Sequence, residues 1–221
     1  MIVIFDWDGT LCDSIDHIVA AMQGAAREVG LAVPTPAAVR DIVGLGLPQA
    51  IAQLFPELGE AEVKRLAASY SKLYVSSDQG PAPMYPGAMD TLHGLRDAGL
   101  ELAVATGKSR RGLDRVLTGL GLEGFFDSTR CADETHSKPH PRMLNEIMSE
   151  RGKAANEVIM VGDTEFDLAM AVNAGVSSIG VSYGVHAVER LQSHGPLAIV
   201  DALPDLLLLP AIQSRGAQST G

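Results

Sequence analysis

Ile2 to Phe5 is a continuous β-branched and aromatic run, and three later stretches share its character: Leu100 to Ala105, Val158 to Val161 and Val176 to Val181. Short apolar runs of this kind predict strands buried on both faces, the mark of a parallel sheet. Between them apolar residues recur at helical spacing, as in Ala88, Leu92 and Leu95 before Gly99, and Leu113, Val116, Leu117 and Leu120 before Gly121. A glycine after each pattern suits a helix end, where the chain turns through left-handed backbone. Strand and helix alternate, which predicts an α/β fold with a parallel sheet covered by helices.

The alternation breaks from Ser14 to about Ser77, where helical patterns follow one another with no strand between them. Ile15, Ile18, Val19, Met22 and Val29 form one stripe, Thr35-Pro36 pairs an N-cap residue with proline at the first helical position, and Glu60 to Val75 is a third amphipathic run. This predicts a helical insertion after the first strand. The prolines of Pro81-Ala82-Pro83 and Tyr85-Pro86-Gly87 mark the return to the sheet, and the small, polar residues from Gln213 to Gly221 predict a fraying end.

Composition narrows the function. The 221 residues are 46% hydrophobic, enough for a full core, and 17 basic against 27 acidic residues give a formal charge of -10. That balance argues against nucleic acid or an anionic membrane as partner, so an anionic substrate must be held by local charge. Cys12 and Cys131 are far apart with no CxxC spacing, which speaks against a disulfide framework or a zinc site. The longest apolar stretch, Leu206 to Leu209, is far short of the roughly 20 residues of a membrane span, and no basic region precedes the first apolar run. The expectation is a cytoplasmic protein.

In a parallel sheet, functional groups collect at the carboxyl ends of the strands. Reading those ends together gives Asp6-Trp7-Asp8-Gly9-Thr10, Ala105-Thr106-Gly107-Lys108-Ser109, Ser137-Lys138-Pro139 and Gly162-Asp163-Thr164-Glu165-Phe166-Asp167. Taken singly each has a plain structural explanation: a turn, a strand end, a surface lysine, a helix capping box. Taken together they put Asp6, Asp8, Asp163 and Asp167 in one place. Each pair of such charges at 4 Å costs on the order of 4 kcal/mol at an effective dielectric of 20, so a cation is needed. Oxygen-only ligands favour a hard ion, and Mg²⁺ is the usual choice beside phosphate.

The segments FDWDGTLCDS, ATGKS, SKPHP and GDTEFD closely resemble the four signature motifs of the haloacid dehalogenase superfamily of phosphatases. The likeness runs from Met1 to about Leu209, and the helical insertion resembles the small cap of the phosphoglycolate phosphatase-like branch. The resemblance implies a Rossmann-like core of residues 1–13 and 82–209 and a mobile helical cap of residues 14–81, and the polar composition beyond it suggests a flexible tail at 210–221. It implies Asp6 as nucleophile, passing through an aspartyl-phosphate, and Asp8 as general acid and then base. It implies that Thr106, the Gly107 N–H and Lys138 hold the phosphate. The metal would be bound by Asp6, Asp8 through its backbone oxygen, and Asp163, with Asp167 supporting it or bonding Lys138. The substrate class is a small phosphate ester such as phosphoglycolate or a sugar phosphate, and the protein a monomer or homodimer.

Some residues carry weaker signals. Trp7 stands where leucine is common in this branch and is expected to point away from the carboxylates. Cys12 reads as a small buried residue, and Arg40 and Lys108 as anion contacts or solvated charges. Val43-Gly44-Leu45-Gly46-Leu47 resembles a substrate-reading cap loop, although glycines serve a plain turn equally well. His136 and His140 lack a third ligand and read as exposed flanks of the Lys138 loop. Three other classes compete: a signalling receiver domain, which needs neither Asp8 nor a large insertion; a dehalogenase, which needs no metal; and a sugar-phosphate mutase, which shares all four motifs.

Overall fold

The computed structural model describes residues 1–76 and 82–216. Six parallel strands form one sheet: β1 (Ile2–Phe5), β2 (Glu101–Thr106), β3 (Ser128–Cys131), β4 (Val158–Gly162), β5 (Ser177–Val181) and β6 (Ala198–Val200), in the order β3-β2-β1-β4-β5-β6. In the central register Val3 lies beside Leu102 on one side and Ile159 on the other. Because alternate strand residues face opposite sides, Val3 and Phe5 join one core layer and Ile2 and Ile4 another. The first layer is closed by α5 (Ala88–Asp97) and α6 (Arg110–Leu120), the second by α7 (Arg142–Arg151) and α8 (Glu165–Ala174). Strand order reverses between β1 and β4, and a crevice opens beyond the carboxyl ends of such strands.

Between β1 and α5 the chain forms α1 (Ile15–Glu28), α2 (Pro36–Arg40), α3 (Leu47–Leu54) and α4 (Glu60–Ser76). These bury a hydrophobic cluster of their own, with Ile18, Met22, Ile51 and Leu66 at its centre. The local signals act as expected: Thr35 Oγ1 accepts the Ala38 N–H at 3.1 Å, with Pro36 opening α2. Gly121 ends α6 with a φ of 69°. Pro81 of the proline-rich return lies outside the described residues.

Two strands have no counterpart in the apolar pattern. β3 reads Ser-Thr-Arg-Cys and is an edge strand with a half-buried middle, so no apolar run marks it; β6, at the other edge, has three residues. β3 matters for the site, since it carries the chain toward Lys138. The fraying expected beyond Pro210 does not begin there. Pro210–Gly216 forms a helix whose Ile212 is 2% exposed and packs into the first core layer, and an apolar anchor outweighs the polar composition around it. Residues 217–221 lie outside the described residues. After α8 and β5 a short helix, Val188–Gln192, is designated α9, and Pro210–Gly216 is α10.

Candidate active site

β1 ends at Phe5, and the Asp6 N–H continues its ladder by donating to the Val161 carbonyl at 3.0 Å. The Asp6 side chain therefore emerges at the strand-order reversal, where β4 delivers Asp163. The two carboxylates and that of Asp167 are fully buried, with ligand oxygens within 4.8 Å of one another. Gly9 makes the close approach feasible: its φ is +83°, and a Cβ there would stand 2.3 Å from Asp163 Oδ2. Thr10 Oγ1 donates to Asp163 Oδ1 at 2.8 Å, and the Val185 N–H donates to Oδ2 at 3.0 Å.

Lys138 arrives from the loop after β3, 2% exposed, with Nζ 2.7 Å from both Asp6 Oδ1 and Asp167 Oδ1. Burial alone would lower the pKa of this ammonium, but the charges of Asp167 and Asp6 outweigh it and raise it. Asp167 also closes a capping box at the start of α8, its Oδ2 accepting from Thr164 N at 3.1 Å and Thr164 Oγ1 at 2.6 Å. The capping and the lysine-binding roles are thus both filled by one carboxylate, one through each oxygen.

Two oxygens of Asp6 differ sharply. Oδ1 faces Lys138 and accepts the Trp7 N–H at 2.6 Å, whereas Oδ2 is buried with no hydrogen-bond partner among the described residues. Burial pushes the Asp6 carboxyl well above its usual range against the pull of Lys138, with the charges of Asp167 and Asp163 adding to it. Burial and then the charge of Asp167 push Asp163 up to about 7. Three carboxylates facing one ammonium, with an oxygen left unpartnered, are a donor set that fits a hard divalent cation, held by Asp6 and Asp163. Asp167, also expected among the metal ligands, belongs to the same group of three carboxylates, and its oxygens also reach Lys138 and the α8 cap.

Asp8 is 8% exposed and stands apart from the triad, its Oδ1 bonded by Ser14 Oγ at 2.5 Å and by Lys108 Nζ at 2.9 Å. Thr106 ends β2 fully buried, its Oγ1 accepting the Lys108 N–H at 3.2 Å. A Cβ on Gly107 would lie 2.5 Å from the Leu45 carbonyl, so the loop of residues 43–47 rests directly on this glycine. The Gly46 N–H is bonded to Ser137 Oγ at 2.7 Å, and Arg190 bridges Asp41 and Glu165 nearby.

A cavity of about 930 Å³ lies between the helical cluster and the strand ends. Asp6, Asp8, Gly107 and Lys108 line one side, and Ile18, Met22, Val43, Leu45 and Tyr74 the other. A smaller cavity of about 280 Å³ beside α6, lined by Arg110 and Asp114, includes none of these residues.

The remaining expectations divide. Trp7 points into the core, fully buried and edge-on to Phe126 at 6.2 Å, and Cys12 is buried with Sγ donating to the Ala82 carbonyl. His136 and His140 are exposed and stack on each other at 4.3 Å. Arg40, read as an anion contact or a solvated charge, pairs with Asp16 at 2.7 Å with both side chains exposed. Lys108 is no solvated charge: its side chain is 10% exposed and paired with Asp8. Sequence reasoning passed over Ser14 and Thr10, although both lie in the first motif stretch, where hydroxyls next to aspartates are a usable signal. Nothing in the pattern of α4 pointed to Tyr74.

A parallel doubly wound sheet with buried carboxylates and a lysine gathered at its strand reversal, and a helical unit inserted after the first strand, is an α/β architecture with one candidate site at the strand ends. The family model for haloacid dehalogenase-like hydrolases matches residues 3–181, and the chain belongs to that family. It is 36% identical over 212 residues to "Probable phosphatase IndB" of Dickeya dadantii (strain 3937), covering 93% of this chain and 91% of that one. It is 32% identical to the phosphoglycolate phosphatase of Vibrio vulnificus (strain YJ016), covering 93% and 94%. The crystal structure of a "predicted phosphoglycolate phosphatase" from Haemophilus somnus 129pt superimposes with a TM-score of 0.80 at 26% identity, covering 94% and 96%.

Proposed function

We propose that the chain is a Mg²⁺-dependent phosphatase that hydrolyses a small phosphomonoester, phosphoglycolate-like, by transferring the phosphoryl group to Asp6. The observation that carries this reading is the asymmetry of Asp6: one oxygen is fixed by Lys138 and the Trp7 N–H, and the other is unpartnered beside Asp163. The residue also lines the cavity.

Substrate phosphate enters where the Thr106 hydroxyl, the Gly107 N–H and the Lys138 ammonium offer donors. Asp6 attacks phosphorus in line while Asp8 gives a proton to the departing oxygen, so the leaving group departs as an alcohol. Water, relieved of a proton by Asp8, then hydrolyses the aspartyl-phosphate and frees Asp6. Asp6, Asp163 and the backbone oxygen of Asp8 would hold Mg²⁺, which when bound supplies the positive charge that these carboxylates and the phosphate lack. Asp167 positions Lys138. Residues 14–81 serve as a cap over the core of residues 1–13 and 82–209, and the loop 43–47 resting on Gly107 is where cap and phosphate site meet.

The test is a panel of phosphorylated metabolites assayed for free phosphate with the parent protein and Asp6→Asn, with circular dichroism confirming the fold of both. The parent is expected to release phosphate and the variant to be inactive. Comparable turnover by Asp6→Asn overturns the assignment, and conversion of a sugar phosphate to its isomer without free phosphate indicates a mutase.

A further inference from the structure

Asp8 is held by two residues of the motif segments, Ser14 and Lys108, to which the reading so far gives no role, and by a helical-unit residue behind one of them. Two donors, Ser14 Oγ and Lys108 Nζ, converge on a single oxygen, Oδ1. Neither of these two contacts is made to the other oxygen, Oδ2. The pair is nearly dry, with side-chain exposures of 10% for Lys108 and 11% for Asp8, so solvent screens it little.

Lys108 is itself clamped from the helical unit. Its Nζ donates to Tyr74 Oη at 3.1 Å and lies 4.8 Å from the ring centroid. His17 stacks on the same ring at 4.4 Å with an interplanar angle of 11°, and Arg115 sits 5.4 Å from its centroid. Tyr74 belongs to α4 and His17 to α1, whereas Lys108 and Arg115 belong to the sheet-bearing part. Ser14 stands at the N-terminus of α1. Ser14 directly and Tyr74 through Lys108 therefore act on the same carboxylate oxygen.

We infer that Lys108, clamped by Tyr74, is a positioning residue for the acid step: with Ser14 it occupies Oδ1 and leaves Oδ2 to carry the proton that the leaving group receives. The inference rests on the reading of Asp8 as general acid. As the bond from Asp6 to phosphorus forms and the bond to the leaving oxygen breaks, the proton passes from Asp8 Oδ2 to that oxygen. The carboxylate left behind meets an ammonium already in place, so no reorganisation is required as charge develops. Because Tyr74 supplies the clamp, α4 must lie against the core for the acid to be aligned.

The experiment compares kcat/KM of the Mg²⁺-loaded enzyme on two esters: an alkyl phosphate, whose alkoxide needs the proton, and nitrophenyl phosphate, whose phenolate leaves without one. This ratio covers steps only through the first irreversible phosphoryl transfer, so the later work of Asp8 as base does not enter. Lys108→Met is expected to lose on the order of 10²-fold on the alkyl ester and less than about 5-fold on the aryl ester, the scale of an acid contribution. Tyr74→Phe, which keeps the ring and removes the hydroxyl, is expected to show the same ordering with smaller losses. Ser14→Ala removes the other donor to Oδ1, and is expected to reproduce the pattern even if Lys108→Met does not fold.

Equal losses on both esters by the Lys108 and Ser14 variants overturn the inference, since a residue that only binds phosphate affects both alike. Asp8→Asn is the reference. If it discriminates between the esters and the positioning variants do not, only this inference fails. If Asp8→Asn does not discriminate, or the parent enzyme cleaves neither ester, the underlying reading fails and takes the inference with it.

Discussion

Burial and the charge of Asp167 hold the Asp163 carboxyl near 7, and burial raises Asp6 in the same direction. An ordinary carboxyl titrates near 4, so between about 4 and 7 the unfolded chain has released a proton that the metal-free folded protein still binds. With fewer protons on the unfolded state, stability falls as pH rises through that window. Thermal melts of chelator-treated protein should therefore show Tm dropping from pH 5 to pH 7.5, with a smaller drop in Asp163→Asn. A Tm that climbs across the window in the parent protein contradicts the picture. Gly9→Ala probes the same carboxylate from the other side: the new methyl meets Asp163 Oδ2 at 2.3 Å on left-handed backbone. We expect a cost of about 1–3 kcal/mol in denaturant unfolding, and weaker Mg²⁺ activation as Asp163 is displaced.

At the scale of elements, helix ends do double duty. Thr164 caps α8 and at the same time orients Asp167 toward Lys138, so Thr164→Ala should remove about 0.5–2 kcal/mol of stability and lower kcat more than it raises KM. Unfolding curves and steady-state kinetics on one preparation read both effects. α10 offers the contrast, because its buried Ile212 belongs to the core layer and lies outside the site. Ile212→Ala should cost about 2–5 kcal/mol in unfolding free energy while kcat per folded molecule stays unchanged. The elements hardest to foresee were the short edge strands. β3 is recognisable as a strand only because β2 pairs with it, Ala103 beside Ser128 and Thr106 beside Cys131, and propensity alone does not encode such pairing.

For the whole molecule, the proposed reading makes the buried acidic cluster a link between folding and a divalent cation. A ligand that binds only the folded state adds stability with its concentration, about 2.7 kcal/mol at a hundred times its Kd. Mg²⁺ should accordingly raise Tm in a concentration-dependent way and restore activity after chelation. A Tm indifferent to Mg²⁺ would count against the cluster as its site. Asp163→Asn should blunt both responses without preventing folding, since that residue's partners, Thr10 and Val185, can still bond an amide. No helix among the described residues is long and apolar enough to cross a membrane.

By itself the sequence determined the parallel sheet at its central strands, the run of helices after β1 and the identity of the acidic residues. Each of these is written in short-range periodicity or in a contiguous motif, where the side chains alone decide. Only the tertiary structure decided the edge strands, the docking of Ile212, the division of Asp167 between its cap and Lys138, and the convergence of Ser14 and Lys108 on one oxygen of Asp8. Those features depend on groups brought together across the fold, such as Tyr74 and Lys108 from different elements, and their meeting is set by packing, which no local pattern records.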